Sequence, residues 1–487
     1  MVIDAERQAG LADAVRVNHV GSTTPHVVVI LPSFSLADSL LAHYATRIGA
    51  YEHRYLLGTL MLPRVPGCQI VFVTCQTPEP EVLDYYDRLA SPARPGGLLD
   101  RLHVVTVDDP SPRSVSAKLL DRPDLLDHVR RLTEGRLAFI EPWNVTDTEV
   151  EVSRALGVPL NGTDPAVWPL CFKSAGRRLF REVGVPIPVG IEDVRDVAGV
   201  GEAVARIRRE RPRLHAVVVK HDNSGAGDGN VVVVVRDASG RRVRQDDIVA
   251  SLRGSLPAWY VTDLGAGAVV EELLTGGLVH SPSAQVDIRP DGSVSVLSTH
   301  EQILGGENGQ VYSGCRFPAD PEYAGRLGEH AAAVGRWLAD RGARGRLGVD
   351  FLAVRRHGRW DVRALEVNLR KGGTTHPFSA LRHLVPGSYD AATGRYDLED
   401  RSGTRCYRSS DGLLDPSWMS LTPRRVIDAV AAAGLEFDPG RRTGVVLHLL
   451  SGLRVDGRLG VTAIGADRDE AERLYADTER VVASQVS

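Results

Sequence analysis

The sequence predicts a mixed α/β protein, and three observations carry that prediction. Up to about residue 160, short apolar runs rich in β-branched residues alternate with helical stretches. Between Leu214 and Arg236, two valine-rich runs enclose a polar, glycine-rich loop. Between Gly345 and Gly373, two apolar or alternating runs joined by a short turn carry acidic residues. A chain of 487 residues has length for about three domains, and 43% hydrophobic residues supply their cores.

In chain order, HVVVILPSF (26–34), CQIVFVTC (68–75) and LHVVTVDD (102–109) read as buried strands. Valine and isoleucine crowd a helix but suit a pleated surface. Helical stretches run through Leu40, Tyr44, Ile48 and Tyr55, then at 81–90 and 115–133. Such alternation implies a parallel sheet with right-handed crossovers, so residues 1–160 form an open α/β domain. From 161 the texture changes to a short helix, Gly-Val-Pro-Ile-Pro and a helix at 200–211, then the valine pair, a long helix at 321–341 and the hairpin. The hairpin joins 345–354 to 360–373, turned by Arg355, Arg356, His357 and Gly358. A second domain thus spans 161–386. Residues 387–487 begin polar and finish with TGVVLHLLSG, RLGVTAIG and a helix from Asp469, a small C-terminal α/β unit.

Charge and cysteine usage bound the function. Lys plus Arg number 58 and Asp plus Glu 62, a formal charge of −4, which gives no reason to expect nucleic acid or an anionic membrane as main partner. The five cysteines lack CxxC spacing, which argues against a zinc site or disulfide framework and fits a reducing cytoplasm. No basic-then-apolar leader appears, and Val27–Leu31 is far too short to cross a bilayer. The expectation is a cytoplasmic protein.

Two stretches carry chemistry. Ala216–Val219 ends in Lys220, His221–Asn230 is the polar loop, and Val231–Val235 follows. A dinucleotide fingerprint or Walker loop needs a helix after its glycines, whereas here a strand follows and no Gly-Lys-Ser/Thr is present. What remains is a glycine hairpin able to fold its N–H groups over a polyphosphate, with a lysine at its base. An ordinary hairpin with a polar tip satisfies the same pattern. In the second stretch, Glu366 and Asn368 are two apart on one strand and share a face, with Asp350 on the preceding strand. Two carboxylates and an amide oxygen suit a hard Mg²⁺ ion whose coordination phosphate oxygens complete. Arg370, two further on, shares that face and can clamp a carboxylate or phosphate. A solvated polar face is the plainer reading of either strand alone.

Taken in order, Lys173, Lys220 with its glycine loop, Val-Glu-Glu-Leu-Leu (270–274), Gly-Val-Asp-Phe-Leu (348–352) and Glu-Val-Asn-Leu-Arg (366–370) resemble the ATP-grasp superfamily. YEHR (51–54), VTC (73–75), DYY (84–86) and FKSAGRRLFREVGVPIP resemble the pre-ATP-grasp domain of one branch, and the whole length is similar to peptide ligases of the pheganomycin type. The resemblance implies a pre-ATP-grasp domain (1–160), an ATP-grasp domain (161–386) and a C-terminal domain. It implies ATP contacts from Lys173 and Lys220, a mobile flap of Ser224, Gly225, Gly227 and Gly229, and an adenine hinge of Glu271, Glu272 and Leu274. It implies Mg²⁺, with Mn²⁺ as an alternative, on Asp350, Glu366 and Asn368, and catalytic roles for Lys220 and Arg370. Many relatives place an acidic ribose contact where this chain has Gly276, Gly277 and Leu278. His300, Glu301, Arg316, Arg370 and His376 are the substrate-side candidates, although a histidine satisfied within the core is an equal reading for His300 and His376.

The implied activity is ADP-forming ligation of an amino-acid-like carboxylate to the amine of a peptide or amino acid, in peptide natural-product biosynthesis, by a chain that admits a homodimer. Two alternatives stay open: a nucleotide-binding regulator without turnover, and a small-molecule phosphotransferase.

Overall fold

Four parallel strands open the chain: β1 (His26–Leu31), β2 (Cys68–Thr74), β3 (Leu102–Thr106) and β4 (Leu137–Pro142), in the order β3-β2-β1-β4. This computed structural model describes residues 3, 8–36, 41, 42, 44, 47–91, 96–224, 230–305 and 311–486. Every residue of β1 is buried, as a strand covered on both faces requires. Because β2 lies on one side of β1 and β4 on the other, the chain leaves these strands in opposite directions. Open α/β sheets place ligands at such a switch point, beyond the carboxyl ends of the strands. Here the two exits are tied together: Ser33 Oγ donates to the Asn144 carbonyl at 2.8 Å, and Asn144 Nδ2 donates to the Ser35 carbonyl at 2.7 Å. Phe34, at φ 44°, lies between them with its ring stacked on Trp143, centroids 4.6 Å apart.

A second, antiparallel sheet contains β5 (Gly190–Val194), β6 (Ala216–His221), β7 (Asn230–Val234) and β8 (Ala268–Glu272), ordered β5-β8-β6-β7. The valine runs pair as the sequence predicts, Val219 opposite Val231 and Lys220 opposite Asn230. Helix Val197–Glu210 buries Val200, Val204 and Ile207 in this sheet's core. Of the expected flap, Gly225, Gly227 and Gly229 lie outside the described residues.

The largest sheet has nine strands. β9 (Leu278–His280), β10 (Pro282–Ile288), β11 (Val294–Gly305), β12 (Val311–Phe317), β13 (Gly345–Arg356) and β14 (Arg359–Asn368) form one part of it. Beyond a separate pair, β15 (Gly387–Asp390) and β16 (Arg395–Leu398), the strands β17 (Cys406–Leu414), β18 (Gly444–His448) and β19 (Arg458–Gly465) continue the same sheet. Its order is β14-β13-β10-β11-β12-β17-β19-β18, with β9 on β13. The C-terminal α/β segment is therefore joined to the central one strand to strand, through β12 and β17. Helix Pro321–Ala339 packs Leu327, Val334 and Leu338 into the core with Val286 and Phe351.

The turn of the β13–β14 hairpin is tighter than the four residues expected. Arg356 pairs with Arg359, leaving His357 (φ 51°) and Gly358 (φ 77°) as the loop. Two positive φ values are what a two-residue turn matched to strand twist needs. Among the described residues, no helix is long and apolar enough to cross a membrane.

Candidate active site

The β13–β14 register sets the acidic centre. Asp350 stands opposite Glu366 and Gly348 opposite Asn368. The register shifts immediately after Asp350, leaving Leu365 without an opposite residue, a bulge of the kind that re-aims side chains beside sites. Asn368 Nδ2 donates to Asp350 Oδ2 at 2.9 Å and to Glu366 Oε1 at 3.4 Å, while Gln302 Nε2 donates to Asp350 Oδ1 at 2.7 Å. Burial, then the neighbouring Glu366 charge, push the Asp350 carboxyl up to about 7. Burial acts the same way on Glu366, but Lys173 and then Lys220 outweigh it and hold that carboxyl below its ordinary value.

Two carboxylates forced together in this way favour a cation. The all-oxygen donor set of Asp350, Glu366 and Asn368 fits Mg²⁺, provided the Asn368 amide turns its oxygen inward. Its nitrogen faces the two acids here, bridging charges that a metal ion would neutralise.

The lysines face this centre from the other side. Lys173 opens helix Lys173–Glu182; its Nζ donates to the Ser224 carbonyl at 2.6 Å and to Ser224 Oγ at 3.1 Å, and lies 3.5 Å from Glu366 Oε2. The same turn pins the entry to the loop, for the Ser174 N–H and hydroxyl both donate to Asp222 Oδ1, at 3.0 and 2.7 Å. Lys220 pairs with Glu271, whose other oxygen accepts from Arg177 at 2.7 Å. Glu272 is tied by Arg211 at 2.9 Å and by the Val189 N–H at 2.9 Å. Both hinge carboxylates are thus occupied by protein partners, and Leu274 is buried beside them.

Two cavities meet here. A cleft of about 1140 Å³ runs between the second sheet and the hairpin, lined by Lys220, Glu271–Leu274, Gln302, Asp350 and Leu352. A smaller cavity of about 440 Å³ lies at the β1/β4 switch point, walled by Phe34, Tyr51, Trp143 and Trp168, with Arg54 and Arg370. Lys173 and Glu366 line both. Arg370 lies against the Trp143 ring, 5.1 Å from its centroid, and Arg54 against Phe34 at 4.9 Å.

The substrate-side candidates scatter. Glu301 and Arg316 lie on the wall of the larger cleft. Glu301 accepts from the Asp320 N–H at 3.0 Å and from Tyr323, and Arg316 pairs with Glu472. His300 lines neither cavity. It is sealed among Phe317, Phe378 and Tyr407, with Nε2 2.8 Å from the Tyr407 hydroxyl, and burial pushes it down to about 3. His376 is likewise buried, its Nε2 2.8 Å from Asp411 Oδ1.

Asp411 also accepts from His448 at 2.8 Å and from Arg54 at 2.9 Å. Two imidazoles and a carboxylate are a metal-like set, but Arg54 already neutralises the acid. Burial pushes His376 down to about 4 despite Asp411, so the set works as a hydrogen-bonded network.

Gln302 and Arg54 were not among the residues predicted from sequence. Gln302 is set beside Asp350 by register, for Asp350 pairs with Ser283 and Ser283 with His300, two residues before Gln302, and no spacing in the sequence encodes that pairing. Arg54 sits in the quoted YEHR stretch, where no spacing reveals that its partner is 357 residues away.

Comparisons with known proteins show what the chain is similar to. The L-propargylglycine–L-glutamate ligase of Streptantibioticus cattleyicolor is 30% identical over 456 residues, 91% of each chain. A family profile described as PGM1 C-terminal domain matches residues 425–478. In fold the chain is similar to biotin carboxylase from Campylobacter jejuni, solved with an ATP analogue, at 13% identity and TM-score 0.57, covering 97% of this chain and 96% of that one. It is similar also to an ADP complex of N5-carboxyaminoimidazole ribonucleotide synthetase, at 14% identity and TM-score 0.51, covering 95% and 99%. Identity sustained over nine-tenths of both chains, together with the ordered lysine, hinge and acidic-hairpin motifs, makes this chain a member of the ATP-grasp carboxylate–amine ligase family.

Proposed function

We propose that the protein is an ADP-forming ligase that joins an amino-acid-like acid to the amine of an amino acid or peptide. The observation that carries this reading is the shared wall: Lys173 and Glu366 line both cavities. A triphosphate lying in the larger cleft, its base against the hinge backbone and its γ-phosphate between Lys173, Lys220 and the acidic pair, faces an acid held in the smaller one. The relative's name gives two amino acids as its substrates, and the structural neighbours were solved with ADP or an ATP analogue. Asp350, Glu366 and the Asn368 oxygen would hold Mg²⁺, which would neutralise charge on phosphate oxygens.

The chain's own residues supply the rest. The substrate carboxylate oxygen attacks the γ-phosphorus, ADP leaves, and an acyl phosphate forms. Lys173 and Lys220 hold the transferred group; a lysine about 4 Å from a phosphate oxygen gains on the order of 4 kcal/mol at an effective dielectric near 20, before desolvation. Arg370 faces the acyl phosphate, where its guanidinium stabilises the developing charge while the amine nitrogen attacks the carbonyl carbon. The C–O bond to phosphate breaks, inorganic phosphate departs and the amine loses a proton. The ring faces of Phe34, Tyr51, Trp143 and Trp168 offer an apolar bed for the side chain of a substrate. The resemblance of the whole sequence to peptide ligases of the pheganomycin type extends the proposal to peptide natural products.

Resolving the nucleotide products during turnover with pairs of amino acids tests this. ADP and phosphate are expected, with hydroxylamine trapping the activated acid as a hydroxamate. AMP and pyrophosphate would overturn the acyl-phosphate route and the roles of Lys220 and Arg370. A stable phosphorylated product without amide would make the protein a phosphotransferase.

A further inference from the structure

We propose that Arg54 docks the free carboxylate of the amine-donating amino acid, aimed by Asp411 with His376 and His448 behind it. The inference rests on the ligase reading and adds to it a substrate class: an α-amino acid with an apolar side chain and an unblocked carboxyl group.

Arg54 is 8% exposed, yet it lines the smaller cavity. One nitrogen of its guanidinium donates to Asp411 Oδ2 at 2.9 Å, its Nε is sealed from solvent, and the Tyr51 and Tyr55 rings each lie 5.5 Å from its central carbon, so a ligand meets the guanidinium through its remaining nitrogens. A guanidinium carries five donors in a planar fork, and those not taken by Asp411 suit a carboxylate. Arg54 lies against Phe34 and Arg370 against Trp143, the two rings stacked on one another, so two cations serve a single cavity. Each has a different acid on the protein side: Asp411 for Arg54, and Asp350 with Glu366 for Arg370. Arg370 belongs to the strand of the acidic pair and so to the reacting carbonyl. Arg54 belongs to the wall built by the N-terminal segment, apart from the acidic pair, and can hold a group that does not react.

An acceptor amino acid has such a group. Its nitrogen must reach the acyl carbon, and its own carboxylate remains unchanged in the product. The wall between, Phe34, Tyr51, Trp143 and Trp168, offers ring faces for an apolar side chain. Both imidazoles donate Nε2–H to the one Asp411 oxygen, at 2.8 Å each, leaving the other oxygen to fix the guanidinium.

The test uses the full chain with Mg·ADP and measures melting temperature with each proteinogenic amino acid, with L-propargylglycine, and with the α-amide of every compound that binds. Compounds that hydroxylamine traps as hydroxamates are the activated acid and are set aside. Apolar amino acids should raise the melting temperature, and their amides should bind roughly tenfold or more weakly, the loss of one charged hydrogen bond. Arg54→Lys, which keeps the charge but not the planar fork, should raise KM for that amino acid by a similar factor with KM for ATP unchanged. Asp411→Asn should move the same KM in the same direction. Equal binding of acid and amide, no binding by any amino acid, or an unchanged KM in Arg54→Lys would overturn the assignment. The ligase reading fails separately, on AMP as the nucleotide product.

Discussion

The two cavities share Lys173 and Glu366 but are built by opposite means. The larger is a charged slot between two sheets, with two lysines on one side and the Asp350–Glu366 pair on the other. Its acidic half comes from one hairpin with a fixed register, and its basic half from a strand and the first turn of a helix. The smaller is an aromatic box assembled from strand exits of the N-terminal sheet, an irregular helical segment and the end of β14. The slot is lined mainly by charged and polar side chains, whereas the box adds ring faces to its two arginines.

Of the two residues both cavities use, Glu366 gives the sharpest test of that contrast. Glu366→Gln keeps shape but removes a charge that a cation ligand cannot lose cheaply. ADP release should fall on the order of 10³-fold, while the melting temperature, set mainly by the cores, stays near that of the parent. Measuring both at saturating Mg²⁺ decides the matter. Retained turnover would remove Glu366 from the metal site and leave the two cavities unconnected in function.

A second break point lies behind the aromatic box. Leu447 is fully buried in the core where β18 meets the N-terminal helix Pro80–Ala90. Leu447→Ala should cost about 3 kcal/mol of stability by transfer and cavity creation, read as a lower urea midpoint. Nucleotide affinity of the folded fraction should hold, because the slot shares no core with this seam. Equal loss of nucleotide binding would show that the two regions are not energetically separate.

How much of this was legible follows from sequence distance. The acidic centre was readable because Asp350, Glu366 and Asn368 sit on one hairpin, where side-chain period and a short turn fix which residues share a face. The strand–loop–strand around Lys220 was readable for the same reason. The YEHR stretch was visible as a pattern only. Its residues fan out to distant partners: Tyr51 to the aromatic box, Glu52 to the Cys75 N–H at 2.6 Å, His53 to Ser451 at 2.8 Å and Arg54 to Asp411. No local period encodes contacts of that span. His300 and His376 show the opposite failure, for polarity alone does not tell a ligand-facing histidine from one sealed in a core. The glycine pattern gave a reason to expect a flap but no position for its tip, since Gly225, Gly227 and Gly229 lie outside the described residues.

Those sealed histidines make the core pH-sensitive independently of the site. Burial holds His300 at about 3, against an unfolded value of 6.5. Above pH 6.5 it is neutral in both states and its contribution is complete. As pH falls from 6.5, the unfolded chain binds a proton that the folded one refuses, so stability is lost at about 1.4 kcal/mol per pH unit. Asp350, raised to about 7, runs the other way and offsets part of the slope until Mg²⁺ binds. The variant His300→Phe should therefore lose about 2 kcal/mol less than the parent between pH 6.5 and 5. Urea midpoints at the two pH values measure it, and identical slopes would show that His300 titrates freely.

The smallest effect concerns how the C-terminal strands are finished. β18 is the last strand of the nine, so its outer N–H and C=O groups have no further strand to bond. An open edge of this kind invites pairing with another chain. Two tyrosines of the N-terminal domain close it at Leu447: the Leu447 N–H donates to the Tyr85 hydroxyl at 2.9 Å, and the Tyr86 hydroxyl donates to the Leu447 carbonyl at 3.2 Å. Both rings are 1% exposed, so water cannot take over either bond. This gives the DYY stretch a structural role at a strand edge, lining neither cavity. Tyr86→Phe keeps the ring and deletes one donor, leaving a buried carbonyl unpaired at a cost of about 1 kcal/mol. Tyr85→Phe deletes the acceptor of a buried N–H and should cost at least as much, because orphaned N–H groups are tolerated less readily than carbonyls. Neither change should alter KM for nucleotide or amino acid. The double variant should self-associate on partial denaturation, seen as concentration-dependent light scattering at urea levels where each single variant stays monodisperse. Scattering no greater than that of the parent would mean that the backbone at 435–437, which already bonds Val445 on the same edge, protects β18 without the tyrosines.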